Sequence, residues 1–177
     1  MSWRSIPGLI TLGASALTAS FPIRAAEPPV VAIVIDDLGH SLETGLEVIS
    51  LPGPVACSIL PHTPSGAELA QRCHAEGKEV MLHLPMSSVG DSRLDRGALT
   101  AAQSRAEFDR TLQDALAAVP AVRGVNNHMG SELTQLTPQM DWLMQGLLQR
   151  QLYFVDSRTT PLTVAAERAA ASGVPHL

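Results

Sequence analysis

The chain has 177 residues, 45% of them hydrophobic, which is enough for one α/β domain with a substantial core and excludes a disordered or fibrous composition. Aromatics make up only 3% and the formal charge is −5, so stacking platforms and basic surfaces for nucleic acid are both missing from the composition. The core has to be built from Val, Ile, Leu, Met and Ala.

The first 26 residues run from Arg4 through the small and apolar stretch "IPGLITLGASALTASF" to "PIRAAEPP". This pattern predicts a secretory signal cleaved near Ala25 or Ala26, with an N-terminal membrane anchor as the rival, although the apolar stretch is short for a span. Cleavage would remove Arg4 and Arg24 and no acid, leaving an acidic exported domain, expected in the periplasm and without stable membrane insertion.

From residue 27 onward, strand and helix signals alternate. Strands are predicted at 30–35 "VVAIVI", 55–60 "VACSIL", 79–84 "EVMLHL", 122–127 "VRGVNN" and 152–156 "LYFVD". These are near-continuous apolar runs, as expected of parallel strands covered on both faces. Ser41 is placed to cap a first helix with Leu42, Leu46 and Ile49 on one face. Ser65 with Glu68 makes a capping box for a second, which Gly77 would end, and Ser104 with Glu107 makes another. That third helix carries Phe108, Leu112, Leu116 and Val119 at core spacing. Thr137–Pro138 opens a fourth, with Met140, Leu143, Met144, Leu147 and Leu148 on its stripe, and Thr160–Pro161 opens a fifth that Gly173 would end. The βαβαβαβαβα order predicts a parallel sheet. "SSVGDSRLDRGALT", residues 87–100, has no apolar period and reads as a long functional loop. Cys57 and Cys73 match neither a zinc knuckle nor a redox CxxC; buried free thiols are the expected form, with a single bridge as the alternative in an oxidising compartment.

The ends of the apolar runs, "VIDD", "SILPH", "MLHLP", "VNNHMG" and "FVDSR", all finish in groups able to ligate, donate or accept. In parallel α/β folds these ends share one edge, where ligands bind. Asp36, Asp37, His83, Asn126, Asn127, His128, Asp156 and Arg158 are therefore expected to converge, with His62 of "LPHTP" lining the cleft and His74 left in solvent. Adjacent strand residues point to opposite faces, so Asp36 and Asp37 can serve one site only if the chain bends there, which Gly39 would ease. Two carboxylates so close repel unless a cation or proton offsets them. A divalent metal on one carboxylate and two imidazoles satisfies that requirement, and the second carboxylate can then act as a base.

"AIVIDDLG", "SILPHTP", "EVMLHLPM", "GVNNHMGS" and "FVDSRTT", in this order, resemble the divergent polysaccharide deacetylase family, a branch of the NodB-like carbohydrate esterase superfamily. The resemblance spans residues 30–177. It implies an α/β fold, a parallel-stranded distorted (β/α) barrel that would be incomplete at the C-terminus, because five strands are counted against the usual seven. It also implies a metal-dependent hydrolase, most simply zinc-dependent, that removes acetyl groups from a polysaccharide. Carried over residue by residue, Asp36 matches the general base, Asp37 the metal carboxylate and His83 the first metal histidine. The usual second histidine lies four positions after the first, where this chain has Ser87, and His128 stands in as the substitute ligand. Arg158 is expected to pair with Asp36 or Asp156 and keep a carboxylate ionised, and His62, Asn126, Asn127 and Asp156 to orient the ligands or the sugar. The alternative function is a non-catalytic envelope protein that keeps the fold and binds glycan or a protein partner.

Overall fold

The computed structural model describes residues 30–90 and 93–177; the predicted leader, residues 1–26, lies outside them. Five strands, β1 (Ile33–Leu38), β2 (Val55–Ile59), β3 (Glu79–Met86), β4 (Gly124–Met129) and β5 (Tyr153–Val155), alternate with five helices, α1 (Leu42–Ser50), α2 (Gly66–Ala75), α3 (Arg105–Ala118), α4 (Thr137–Leu148) and α5 (Ala165–Ser172). All neighbouring strands are parallel and lie in the order β1-β2-β3-β4-β5. An order that never reverses is that of a barrel wall rather than a doubly wound sheet. Among the described residues the wall stays open, since β1 pairs only with β2. Beyond β5 the chain runs parallel to it again, with Phe154 N–H donating to Pro175 O at 2.9 Å and Leu177 N–H to Phe154 O at 3.1 Å.

Strand alternation sorts the side chains into two sets. On β3, Val80, Leu82, Leu84 and Met86 join Cys57, Ile59, Val125 and Phe154 in the core beneath the helices. The alternate residues, Ser58, Met81, His83, Asn126 and His128, occupy the other face of the sheet, where the chemistry collects. Phe108 of α3 anchors the helical layer, fully buried and edge-on to Trp142 at 5.6 Å. Burying such a ring contributes about 1.5–3 kcal/mol.

Several local expectations hold. The Ser104–Glu107 capping box forms, Ser41 caps α1 through Thr44 N–H at 3.2 Å, and Gly173 ends α5 in the left-handed region. Others are corrected. β1 starts three residues later than predicted and runs through both aspartates; Val30 and Val31 lie outside the sheet, 92% and 80% exposed. β3 and β4 likewise extend two residues further, so His128 belongs to a strand. On α1 it is Gly45 and Val48 that are buried, while Leu46 stays partly exposed, because the close approach of α2 puts Leu69 where a Cβ of residue 45 would stand. Ser65 makes no side-chain cap, and the other half of the expected box is also unformed, with Glu68 pairing with Arg72 at 2.7 Å. Cys57 and Cys73 are not free thiols: they form a disulfide that ties β2 to α2.

Candidate metal centre

The two aspartates reach one site because the strand is irregular between them. Pairing of β1 with β2 slips between Ile35 and Leu38, and Asp37 adopts φ +60°. Aspartate tolerates this left-handed conformation better than most residues, at a cost of about 1–3 kcal/mol. Asp36 keeps the orientation that alternation dictates, and the bulge swings Asp37 to the same side. Gly39, at φ +130°, completes the bend where Thr63 leaves no room for a Cβ. His62 after β2, Met129 closing β4 and Arg158 after β5 also have positive φ at equivalent strand ends, while Ala121 and Gln151 adopt it in the turns that lead into β4 and β5.

At that rim, one ligand atom each from Asp37, His83 and His128 lies within 4.8 Å of the others. Asp37 Oδ1 is 3.2 Å from His83 Nε2 and 3.0 Å from His128 Nδ1, and the two nitrogens are 3.1 Å apart. Atoms at these separations, each bonded to a common ion at roughly 2.1 Å, subtend angles of about 90–100° there, which is the facial arrangement of three neighbouring ligands with further positions open. The donor set, one carboxylate and two imidazoles, suits a first-row divalent cation, so the residues present fit a metal. Burial is the largest influence on His83 and lowers its pKa, with the Asn126 hydrogen bond and the Asp36 charge opposing it. The ring is thereby biased toward the neutral form a cation requires.

Behind these atoms lies a polar layer. Asn126 Nδ2 donates to Asp36 Oδ1 at 2.8 Å, and Asn126 Oδ1 lies 3.0 Å from His83 Nδ1 and accepts from Ser58 Oγ at 2.6 Å. Asp36 Oδ1 is thus engaged, while among the described residues its Oδ2 has no protein hydrogen-bond partner. His128 Nε2 faces Asp95 Oδ2 at 3.3 Å.

Asp36 and Asn126 therefore stand where the sequence expectation put them, next to the three ligand candidates. The remaining expected residues do not join the cluster. Asn127 spends its amide on backbone, donating to Met129 O at 2.8 Å and accepting from Ser157 N–H at 2.9 Å. Asp156 is buried and closes the turn after β5, accepting from Arg158 N–H at 2.9 Å and Thr163 Oγ1 at 2.8 Å. The expected ion pair of Arg158 with Asp36 or Asp156 is not formed: at φ +49° its backbone, not its guanidinium, meets Asp156, and the side chain is exposed. His62 lines a separate open cleft of about 560 Å³ with Arg96, Gly97, Thr111 and Asp114. Asp95, which joins that cleft's loop to His128, was not singled out from the sequence; only the aperiodic loop around it pointed there. Ser58 gave no signal, because one serine in an apolar strand is unexceptional.

The chain matches the divergent polysaccharide deacetylase family over residues 33–177, and it belongs to that family. It is 36% identical over 161 residues to the uncharacterized protein YibQ of Escherichia coli (strain K12), covering 91% of this chain and 50% of that protein. It is 32% identical over 163 residues to an uncharacterized protein of Haemophilus influenzae, covering 92% and 57%. The chain thus spans about half the length of these relatives. The crystal structure of the uncharacterized protein ATU2773 from Agrobacterium tumefaciens C58 superposes with a TM-score of 0.77 over 82% of this chain and 60% of that one, at 23% identity, and so shares the fold.

Proposed function

We propose that this family member is an exported, cation-dependent hydrolase that removes acetyl groups from a cell-envelope or extracellular polysaccharide. The observation that carries the reading is the triangle of Asp37, His83 and His128 ligand atoms, 3.0–3.2 Å on each side, with Asp36 beside it. A divalent cation held there, zinc being the simplest choice for this donor set, would supply Lewis-acid activation of water and of the acetyl carbonyl. Asp36 is tethered through Oδ1 and presents Oδ2, which can take the proton of the attacking water and return it to the departing sugar nitrogen or oxygen. Hydrolysis then adds one water across the acyl bond and releases acetate. The exposed rim, with Asp37 65% accessible, suits a polymer that lies across the site better than one swallowed by it.

A glycan- or protein-binding role without turnover is the second reading. It is favoured by Ser87 in the position where the superfamily usually has its second histidine. Acetate release from acetylated chitooligosaccharides and peptidoglycan fragments, with zinc and with chelator, separates the two. Zinc-dependent acetate is expected; binding of these glycans with no acetate under any metal would replace the hydrolase by the binding protein.

A further inference from the structure

We propose that Asn126, anchored by the buried hydroxyl of Ser58, is a positioning residue that decides which nitrogen of His83 carries the proton, and so presents the Nε2 lone pair to the cation site. The inference rests on the reading of Asp37, His83 and His128 as cation ligands, and adds a role for two residues outside that set.

Hydrogen-bond polarity fixes which way the Asn126 amide points. An ionised carboxylate offers only lone pairs, so the group that Asn126 turns toward Asp36 Oδ1 at 2.8 Å has to be its NH₂. The amide oxygen then points the other way, toward Ser58 Oγ at 2.6 Å and His83 Nδ1 at 3.0 Å. A carbonyl oxygen can only accept, hence both neighbours have to donate. For Ser58 this costs nothing, since its hydroxyl turns freely. For His83 it places the hydrogen on Nδ1, and a neutral imidazole with hydrogen on Nδ1 has a bare lone pair on Nε2. Nε2 is the atom 3.2 Å from Asp37 Oδ1 and 3.1 Å from His128 Nδ1. Turning the amide over would set oxygen against carboxylate and strand a buried donor, a loss of the kind that buried networks avoid.

Burial gives this control its force. Ser58 is 0%, Asn126 2% and His83 4% exposed, so water has little access to replace a missing partner. The three side chains come from adjacent strands on one face of the sheet, with His83 directly opposite Asn126 in the β3–β4 register. Asp36 acts on the His83 proton in two ways, through the Asn126 amide it orients and directly, since its Oδ1 lies 3.5 Å from His83 Nδ1, so Asp36 is an orienting group for the ligand as well as a neighbour of the reaction.

The test uses the purified metal-free protein and nitrogen-15 NMR of the His83 ring, at a pH where the ring is neutral, followed by zinc titration against a competing chelator. The wild type is expected to hold hydrogen on Nδ1 alone. Asn126→Leu is expected to lose that single tautomer and to weaken zinc binding on the order of 10–100-fold. Ser58→Ala, which removes one buried hydroxyl, is expected to do the same to a smaller degree. Hydrogen on Nε2 in the wild type overturns the proposal, whatever the variants do. So does a folded Asn126→Leu that keeps the Nδ1–H form and binds zinc within about twofold of wild type. Neither readout involves acetate: an Nδ1–H tautomer in a protein that releases none sinks the hydrolase reading and leaves this one standing.

Discussion

Asp37 Oδ1 and His128 Nδ1 stand 3.0 Å apart at the ends of β1 and β4, two strands that do not touch in the sheet. The contact exists because β1 bulges at Asp37 and because His83, on β3 between them, bridges both.

Removing one corner of this triangle should remove the ion. Asp37→Ala, His83→Ala and His128→Ala are each expected to lose stoichiometric zinc after dialysis, as read by elemental analysis, while the wild type retains it. Zinc at about 100 times its dissociation constant should stabilise the wild type by about 2.7 kcal/mol and leave these variants unmoved. A variant that kept one zinc per chain would show that the ion sits elsewhere.

Asp36 is separable from the ligands by its readout. Asp36→Asn keeps an amide oxygen that can still accept from Asn126 Nδ2, but it loses the proton acceptor, so acetate release is expected to fall about 10²–10⁴-fold at zinc concentrations that saturate the variant's own site. Activity within a few-fold of wild type would assign the base to another group.

Asp95 is the reach of the β3–α3 loop into the site. Its carboxylate, 3.3 Å from His128 Nε2 and half exposed, is placed to hold a hydrogen there and leave Nδ1 free to ligate. Asp95→Ala should weaken zinc about tenfold, the low end of what an outer partner of a ligating histidine contributes. Unchanged affinity in a chelator competition would reduce the contact to a surface pairing.

The pH dependence follows from His83. Burial lowers its pKa in the folded protein relative to the unfolded chain, where the imidazole stays near about 6.5. Above that value both states are neutral and the stability is fully present. As the pH falls below it, the unfolded chain takes up a proton that the folded protein resists, so stability declines until the folded pKa is passed and then levels off. Urea unfolding of metal-free protein from pH 8 to pH 5 should show this slope in the wild type and a shallower one in His83→Gln. Equal slopes in the two would place the effect in other groups.

The Cys57–Cys73 disulfide joins two buried positions 16 residues apart. Closing a loop of this length stabilises by about 3 kcal/mol in the chain-entropy account. Reductant, or Cys73→Ser, should lower Tm by several degrees, and denatured, unreduced protein should show no titratable thiol. A full complement of thiols in protein purified from an oxidising compartment would contradict the pairing.

Much of this was legible along the chain. Short continuous apolar runs alternating with capped amphipathic helices are the pattern of parallel strands packed under helices, so the fold class and the common edge of the polar strand ends followed from local pattern. The capping box at Ser104 and the glycine stop at Gly173 were legible too, because both are settled within a few residues. Neighbouring residues could not reveal that the strand continues through Asp36 and Asp37 before it bends, or that Asn127, Asp156 and the Arg158 backbone serve the turn beyond β5. The choice between free thiols and a Cys57–Cys73 bridge, both open in the sequence, the approach of Asp95 and the Ser58–Asn126–His83 relay needed the same information. Each depends on which strands lie side by side and in what register, a choice made by packing the whole sheet against its helices. A one-residue change of register would turn every one of these side chains to the opposite face, so tertiary structure alone decided which polar groups met.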